Sequence, residues 1–268
     1  MQVRGSTMLI TGASSGIGAA CARRAAAMGA RVVLLARTRP ALEQLAAAIR
    51  AAGGAADAYP VDLTDANAVA ATVERVLAEV GVPDIVLSNA GAGRWLFLEE
   101  TSPDEAVAMM AMPYFAALYL TRALLPAMLK RGRGRLIYVN SPAALAPWPG
   151  ATAYTAARWA LRGFAEALRA DLHGTGVRVA TVIPGRVSSG YFEHNPGVLE
   201  REPRLSRLLL PTLTPEQAAA HMLRGIERDA RLIIFPTPLK LLYLFDRALP
   251  GPVRWLAART GARRDRLA

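Results

Sequence analysis

The chain is constrained most by a strict alternation. Seven short, nearly unbroken apolar runs occur: MLI (8–10), RVVLLA (31–36), AYPVD (58–62), DIVLS (84–88), RLIYVN (135–140), VRVATVI (177–183) and RLIIF (231–235). A run that is apolar at nearly every position, rather than at every second one, describes a strand covered on both faces, as in parallel sheets. Between the runs lie alanine-rich stretches, about 16–28, 39–52, 65–80, 103–130, 152–173 and 214–229, that suit helices. Strand and helix in alternation make βαβ units. The expected fold is α/β: a single doubly wound domain with a seven-stranded, mainly parallel sheet and helices on both faces. TPEQ (214–217) supports one helix start, with Thr214 as N-cap, Pro215 at the first helical position and Gln217 closing a capping box. No repeat or linker interrupts the first 185 residues. The expected division is one domain over 1–236, including a substrate loop at 187–213, and a basic amphipathic extension over 237–268.

Composition removes several classes of function. Hydrophobic residues make up 53% of 268, which excludes a disordered chain. Arg or Pro interrupts the apolar runs, so no membrane span is expected, and with a strand and glycine turn by Gly12 no signal peptide is expected. Cys21, the only cysteine, reads as a small buried residue and allows neither an internal disulfide nor a cysteine metal site. His173, His194 and His221 share no metal-ligand spacing, so no metal is expected. The expected location is cytoplasmic. Net charge is +11, and all 32 basic residues except Lys130 and Lys240 are arginine. Eight of them fall after residue 230 against only Asp246 and Asp265. No nucleic-acid recognition motif accompanies this charge, so an anionic surface of another kind is the better partner.

The stretch MLITGASSGIG sets glycines at 12, 16 and 18 between the first strand and the first helix. Glycines there permit a tight turn and let backbone approach a pyrophosphate resting on the helix N-terminus. The second strand ends LLARTR, with Arg37 and no acid nearby. An Asp or Glu would hold the free 2′-hydroxyl of NAD, whereas an arginine suits a 2′-phosphate, so NADP(H) is expected. The competing reading of Arg37 is a solvated surface arginine.

TGASSGIG, NAG (89–91), YTAAR (154–158) and PGRVSS (184–189) together resemble the short-chain dehydrogenase/reductase family, from about residue 7 to 190 and more loosely to 236. The resemblance implies a Rossmann-type domain, assembled as a homodimer or homotetramer, that binds a dinucleotide. Gly12, Ser14, Ser15, Gly16, Ile17 and Gly18 would form the phosphate turn. Asp62 and Leu63, at the end of the third strand, would meet the adenine, and Asn89, Ala90 and Gly91 the adenosine side. Pro184, Gly185 and Val187 would shape the nicotinamide pocket, with Ser189 near the carboxamide. Of the family's Asn, Ser, Tyr and Lys set, Ser141 and Tyr154 match, Arg158 replaces the lysine and Pro113 falls where the asparagine belongs.

Reducing a ketone requires a hydride at carbon and a proton at oxygen. A free phenol titrates near 10, so a site using one must favour the phenolate by roughly 3–4 kcal/mol. A fixed cation four residues on, on the same helical face, can supply that. Arginine is as positive as lysine but sheds no proton, which breaks the family's relay at that link. The remaining positions on that face, Leu161, Ala165, Leu168 and Leu172, are apolar, so Arg158 is expected inside the protein. Proline removes a donor and clashes with the preceding turn, so the helix around 109–113 is expected to be kinked.

Trp95, Phe97, Trp148, Tyr191, Phe192 and the leucines at 208–210 outline either a pocket for a hydrophobic carbonyl or alcohol, or a cluster packed on itself. The extension is a membrane-surface helix, a dimer contact, a flap over the substrate entrance, or a helix packed on its own domain. Two functions stand: an NADP(H)-dependent oxidoreductase, and a catalytically impaired nucleotide-binding sensor or partner subunit.

Overall fold

A computed structural model describes residues 2–189, 195 and 198–264, leaving aside the side chains of Leu199 and Leu205. Seven strands form one sheet: β1 (Thr7–Thr11), β2 (Arg31–Ala36), β3 (Ala55–Pro60), β4 (Ile85–Ser88), β5 (Gly134–Val139), β6 (Val177–Pro184) and β7 (Leu232–Phe235). Their order is β3-β2-β1-β4-β5-β6-β7, and every pair is parallel. The doubly wound seven-stranded α/β expectation therefore holds. The order reverses between β1 and β4, and in such sheets ligands bind there, outside the carboxyl ends of the strands.

The helices are α1 (Gly16–Ala27), α2 (Arg39–Ala51), α3 (Ala66–Glu79), α4 (Pro103–Met110), α5 (Ala116–Arg131), α6 (Thr152–Asp171), α7 (Val198–Arg201), α8 (Arg204–Leu209), α9 (Pro215–Glu227), α10 (Thr237–Ala248) and α11 (Pro250–Thr260). Side chains of a strand alternate between the faces, and each face has its own core. Met8 and Ile10 pack with α1, α2 and α9, among them Cys21, Leu42 and Met222. Leu9, Val33 and Val86 pack with α3, α5 and α6, among them Val73, Leu120 and Leu161. Burial pushes the Cys21 thiol up to about 12, as suits an inert residue. The capping box of α9 forms as read, Gln217 N donating to Thr214 Oγ1 at 3.2 Å and Thr214 N to Gln217 Oε1 at 2.9 Å.

The structure corrects four details. β3 starts at Ala55, three residues before the apolar run, because Ala55 to Pro60 lie in register with all of β2 and Arg31 pairs with Asp57 at 2.7 Å. Pairing overrides the weak strand preference of alanine and aspartate, and Asp62 consequently lies past the strand end. The segment expected to be irregular, 187–213, contains α7 and α8. The helical stretch Pro103–Arg131 is long and apolar enough to cross a membrane by length and composition, contrary to the reading that Arg and Pro break every such run. Its Leu120, Leu124 and Met128 nevertheless sit fully buried against the sheet. Finally, that stretch carries a π-helical turn, Ala111–Phe115, around buried Pro113. Proline offers no N–H to the carbonyl four residues back, and a wider turn shifts the pairing by one residue. The expected irregularity thus takes the form of a π-turn.

Arg135, at the start of β5, anchors the strand that leads to Ser141. It is 2% exposed, and its guanidinium donates to the carbonyls of Ile226 and Ala230 at the end of α9 and pairs with Asp229 at 3.0 Å. Burial, with a smaller contribution from Arg178, pulls this group down to about 10. Replacing it by leucine leaves the two carbonyls without their donor and Asp229 with Arg178 alone. Arg135→Leu should lower stability by about 3 kcal/mol, read from the midpoint of a urea unfolding curve at unchanged slope.

Candidate functional site

A cleft of about 530 Å³ opens at the carboxyl ends of the strands. It collects the residues following β1, β2, β4, β5 and β6, since parallel strands all point their carboxyl ends the same way.

The β1–β4 corner is closed by one hydroxyl. Thr11 Oγ1 accepts from the backbone N–H of Asn89 and of Ala90, each at 2.9 Å, and the Asn89 side chain returns a bond to Thr11 O at 3.0 Å. This clamps NAG against the glycine turn. The turn itself cannot tolerate side chains: a Cβ on Gly18 would lie 2.2 Å from Gly12 O, and one on Gly12 3.0 Å from Ala90 Cα. Gly12 and Gly16 also have φ of +63° and +53°, the left-handed region glycine favours. Ser15 precedes α1 without capping it, so the amides of the first turn have no side-chain acceptor. Uncapped amides at a helix start, behind a turn that admits backbone contact, are what a phosphate group needs. Ser189 stands across from this turn, its Cβ 3.2 Å from where a Cβ of Gly16 would be.

On the other side of the switch point, α6 brings Tyr154 and Arg158 to the cleft, and both are buried, at 5% and 6% exposure. The Arg158 guanidinium carbon stands 4.9 Å from the centre of the Tyr154 ring. Nη1 donates to Val139 O at 3.3 Å, while buried Nε has no hydrogen-bond partner among the described residues. Among the described residues no carboxylate pairs with it. The other amino group lies 3.1 Å from the position a Cβ on Gly91 would take. Burying a cation without a counter-ion costs several kcal/mol, and among the described residues the Arg158 charge is balanced by none. Gly93, φ +146°, leaves room for the Tyr154 ring, which a Cβ there would approach to 2.6 Å.

Ser141 follows β5, 7% exposed, its Oγ accepting from Ala143 N at 3.3 Å. Asn140, which the sequence reading passed over, joins the two halves. Its Oδ1 accepts from Ser141 N at 2.9 Å and its Nδ2 donates to Arg158 O at 3.1 Å. The end of β5 is thereby bound to the turn of α6 that carries the arginine. Thr11, Asn140 and Gly93 were all missed; each sits beside a motif residue, but none differs by type from an ordinary strand or loop residue.

The cleft gathers Gly12, Ser14, Ser15, Gly16, Ile17, Arg37, Leu63, Asn89, Ala90, Gly91, Ser141, Tyr154, Arg158, Pro184, Gly185, Val187 and Ser189. Two site expectations fall outside its walls. Gly18 acts behind the turn, as a packing position, and Asp62 bonds Thr64 N and Oγ1 at 2.9 and 2.8 Å, which, with Arg37 nearby, holds its carboxyl below the usual range. Of the aromatic and leucine positions, Trp95, Trp148 and Leu210 line the cleft. Phe97 is covered by the guanidinium groups of Arg201 and Arg264, and Leu208 and Leu209 face solvent. Tyr191 and Phe192 lie outside the described residues. The base of the 187–213 segment is zipped by Leu213 N to Arg186 O at 2.9 Å and Ser188 N to Leu213 O at 2.8 Å. Arg186 also pairs with nearly buried Glu202 at 3.0 Å on the cleft wall.

This donor set fits NAD or NADP: open amides for the pyrophosphate, a backbone cradle where a Cβ would intrude, and a buried guanidinium with an unused N–H. Known proteins agree. The chain is 36% identical over 233 residues to a fatty acyl-CoA reductase of Acinetobacter baylyi, covering 86% of this chain and 76% of that one. A short-chain dehydrogenase/reductase from Burkholderia phymatum, solved with NAD, superposes with a TM-score of 0.82 over 93% of this chain and 96% of its own, at 24% identity, a likeness of fold. A metagenomic short-chain oxidoreductase solved with NADP does so at 0.72 over 87% and 97%, with 32% identity. The family model for short chain dehydrogenase matches residues 6–196. With that match over the greater part of its length, the chain belongs to the short-chain dehydrogenase/reductase family of oxidoreductases.

Proposed function

We propose that the protein interconverts a carbonyl and an alcohol on a hydrophobic substrate using NADP(H), with Tyr154 as acid–base group, Ser141 orienting the carbonyl and Arg158 as the fixed positive charge. The observation carrying this reading is the buried Arg158 guanidinium over the Tyr154 ring, directed at the cleft and paired with no carboxylate among the described residues. A guanidinium locked to an acid elsewhere, or turned to solvent, would have favoured an impaired nucleotide-binding sensor.

Bound NADPH would supply the hydride. The chain's residues do the rest. The Ser141 hydroxyl donates to the carbonyl oxygen and holds the carbonyl in place. The Tyr154 phenol gives its proton to that oxygen as negative charge develops there. Arg158 opposes the charge left on the phenolic oxygen, in a site screened from water, where one well-placed group is worth about 10²–10³ in rate. Since arginine cannot pass on a proton, the tyrosine must be reprotonated by another route. In the other direction the same groups act in reverse.

The choice of NADP(H) rests on Arg37, which lines the cleft beyond β2, where the strand ends in Ala36 and Thr38 follows and no acid stands at the strand end; nearby Asp62 belongs to the loop after β3. Its guanidinium matches a 2′-phosphate. The substrate class rests on the walls: Trp95 and Trp148 meet edge to face at 4.9 Å, Trp95 lies 5.9 Å from the Tyr154 ring, and Met112 and Leu210 complete an apolar side. Both indole N–H groups are shielded from solvent without a partner among the described residues, which supports a substrate carrying a second acceptor oxygen along an apolar body.

Steady-state rates with NADPH and a hydrophobic ketone check the mechanism. Tyr154→Phe should lose about 10²–10⁴ in kcat/KM and Arg158→Leu about 10²-fold, while Arg158→Lys keeps or raises turnover. An active Tyr154→Phe variant would refute the assignment. Cofactor choice is read separately by fluorescence titration. Arg37→Asp should weaken NADPH binding by about 10–100-fold, the loss of one charge-assisted contact, and leave NADH binding equal or tighter.

A further inference from the structure

The two C-terminal helices carry more apolar surface than their own packing consumes. On α10 the inner stripe is Leu239, Tyr243 and Asp246, with Leu239 2% exposed in a cluster with Leu145, Ile183 and Leu210. A helix lying on a protein needs one such stripe. α10 has a second one facing outward, Leu241 at 61%, Leu244 at 51% and Phe245 at 51%, continued by Leu249 at 51% and by Trp255 of α11 at 60%.

Charge says what covers it. Lys240, Arg247, Arg254 and Arg259 are exposed around this stripe, and none pairs with a carboxylate among the described residues. The only acid in α10 and α11 is Asp246, which is buried. Beside the stripe a groove of about 340 Å³ between α9, β7 and α10 is lined by Arg224, Arg228, Lys240, His221, Tyr243 and Leu244, with no acidic side chain. A second copy docking through the same face would set these cations against one another. A surface apolar enough to receive the stripe and negative enough to receive the cations is an anionic lipid bilayer, with Trp255, under Arg259 at 5.2 Å, at the depth where tryptophan settles.

We infer that the outer face of α10 and α11, with the basic groove beside it, seats the protein on the surface of an anionic phospholipid membrane. The inward side of the same helices packs beside the cleft wall. α11 packs on α8, whose Ser206 lines the cleft, and Gly261 packs on Pro149, next to the cleft residue Trp148. The docking itself is independent of the catalytic assignment.

Co-sedimentation of the full chain with vesicles tests this, comparing pure phosphatidylcholine with vesicles holding about three phosphatidylglycerols in ten lipids. Binding to the anionic vesicles should be at least about tenfold stronger and should fall at high salt. The exposed triple variant Leu241→Ser, Leu244→Ser, Phe245→Ser should lose about tenfold, as should Lys240→Glu with Arg247→Glu. Both should keep the wild-type elution volume and the wild-type rate on a water-soluble ketone. Equal binding to both vesicle types, or a triple variant that binds like wild type, overturns the inference. So does a triple variant that changes elution volume in a chain that ignores vesicles, since the stripe would then be a contact between copies.

Discussion

The site depends on a corner between two strands that are distant in sequence. β1 and β4 are neighbours only because the chain turns back at that point, and the turn leaves two backbone ends to be joined. The hydroxyl of Thr11 joins them by accepting both amides of Asn89 and Ala90, and Asn89 answers with its own side chain. Two satisfied amides and a reciprocal bond contribute about 1 kcal/mol each. Their larger effect is positional. They set the distance between the glycine turn and the NAG segment, and Gly18 lets α1 approach closely behind it.

The second tie, through Asn140, is what places the charge. Arg158 differs from the family's usual lysine, and its side chain is longer and planar. The room it needs is visible: Gly91 has no side chain where the guanidinium lies, and the Val139 carbonyl takes one N–H. Where the family resemblance implies a point charge on a flexible stem, this chain has a flat, permanent one over the ring of Tyr154. Such a group can oppose negative charge at the phenol but cannot carry a proton. At Pro113 the missing N–H goes with a π-helical turn, Ala111–Phe115.

The C-terminal helices show a division within single elements. α10 uses one face to close the core cluster around Leu145 and Ile183 and leaves another apolar face outside. The extension also holds the rim of the cleft. Arg264 pairs with Glu99 at 2.5 Å, Arg201 with Glu100 at 2.5 Å, and both guanidinium groups cover Phe97. Exposed pairs of this kind are worth little singly, yet they bring the tail, α7 and the segment after β4 to one edge of the cleft.

Much of this was legible in the residues. The seven strands follow from continuous apolar runs, because only a doubly covered sheet buries both sides of a strand. The glycine turn follows from its place between strand and helix, and the shared face of Tyr154 and Arg158 from their separation by four residues on a helix, whereas Ser141 was reached through the family resemblance. β3 was misplaced because alanine and aspartate carry no strand signal until β2 pairs with them. Thr11, Asn140 and Gly93 were invisible for another reason: their roles consist of contacts with residues far away in sequence. By itself the sequence determined the alternation of elements, the dinucleotide turn and the chemistry available on α6. Only the tertiary structure decided that Arg158 is buried with no carboxylate partner among the described residues, that the wall tryptophans line the same cleft, and that a second apolar stripe of α10 stays outside. Burial and pairing are properties of surfaces brought together, and local patterns do not specify which surfaces those are.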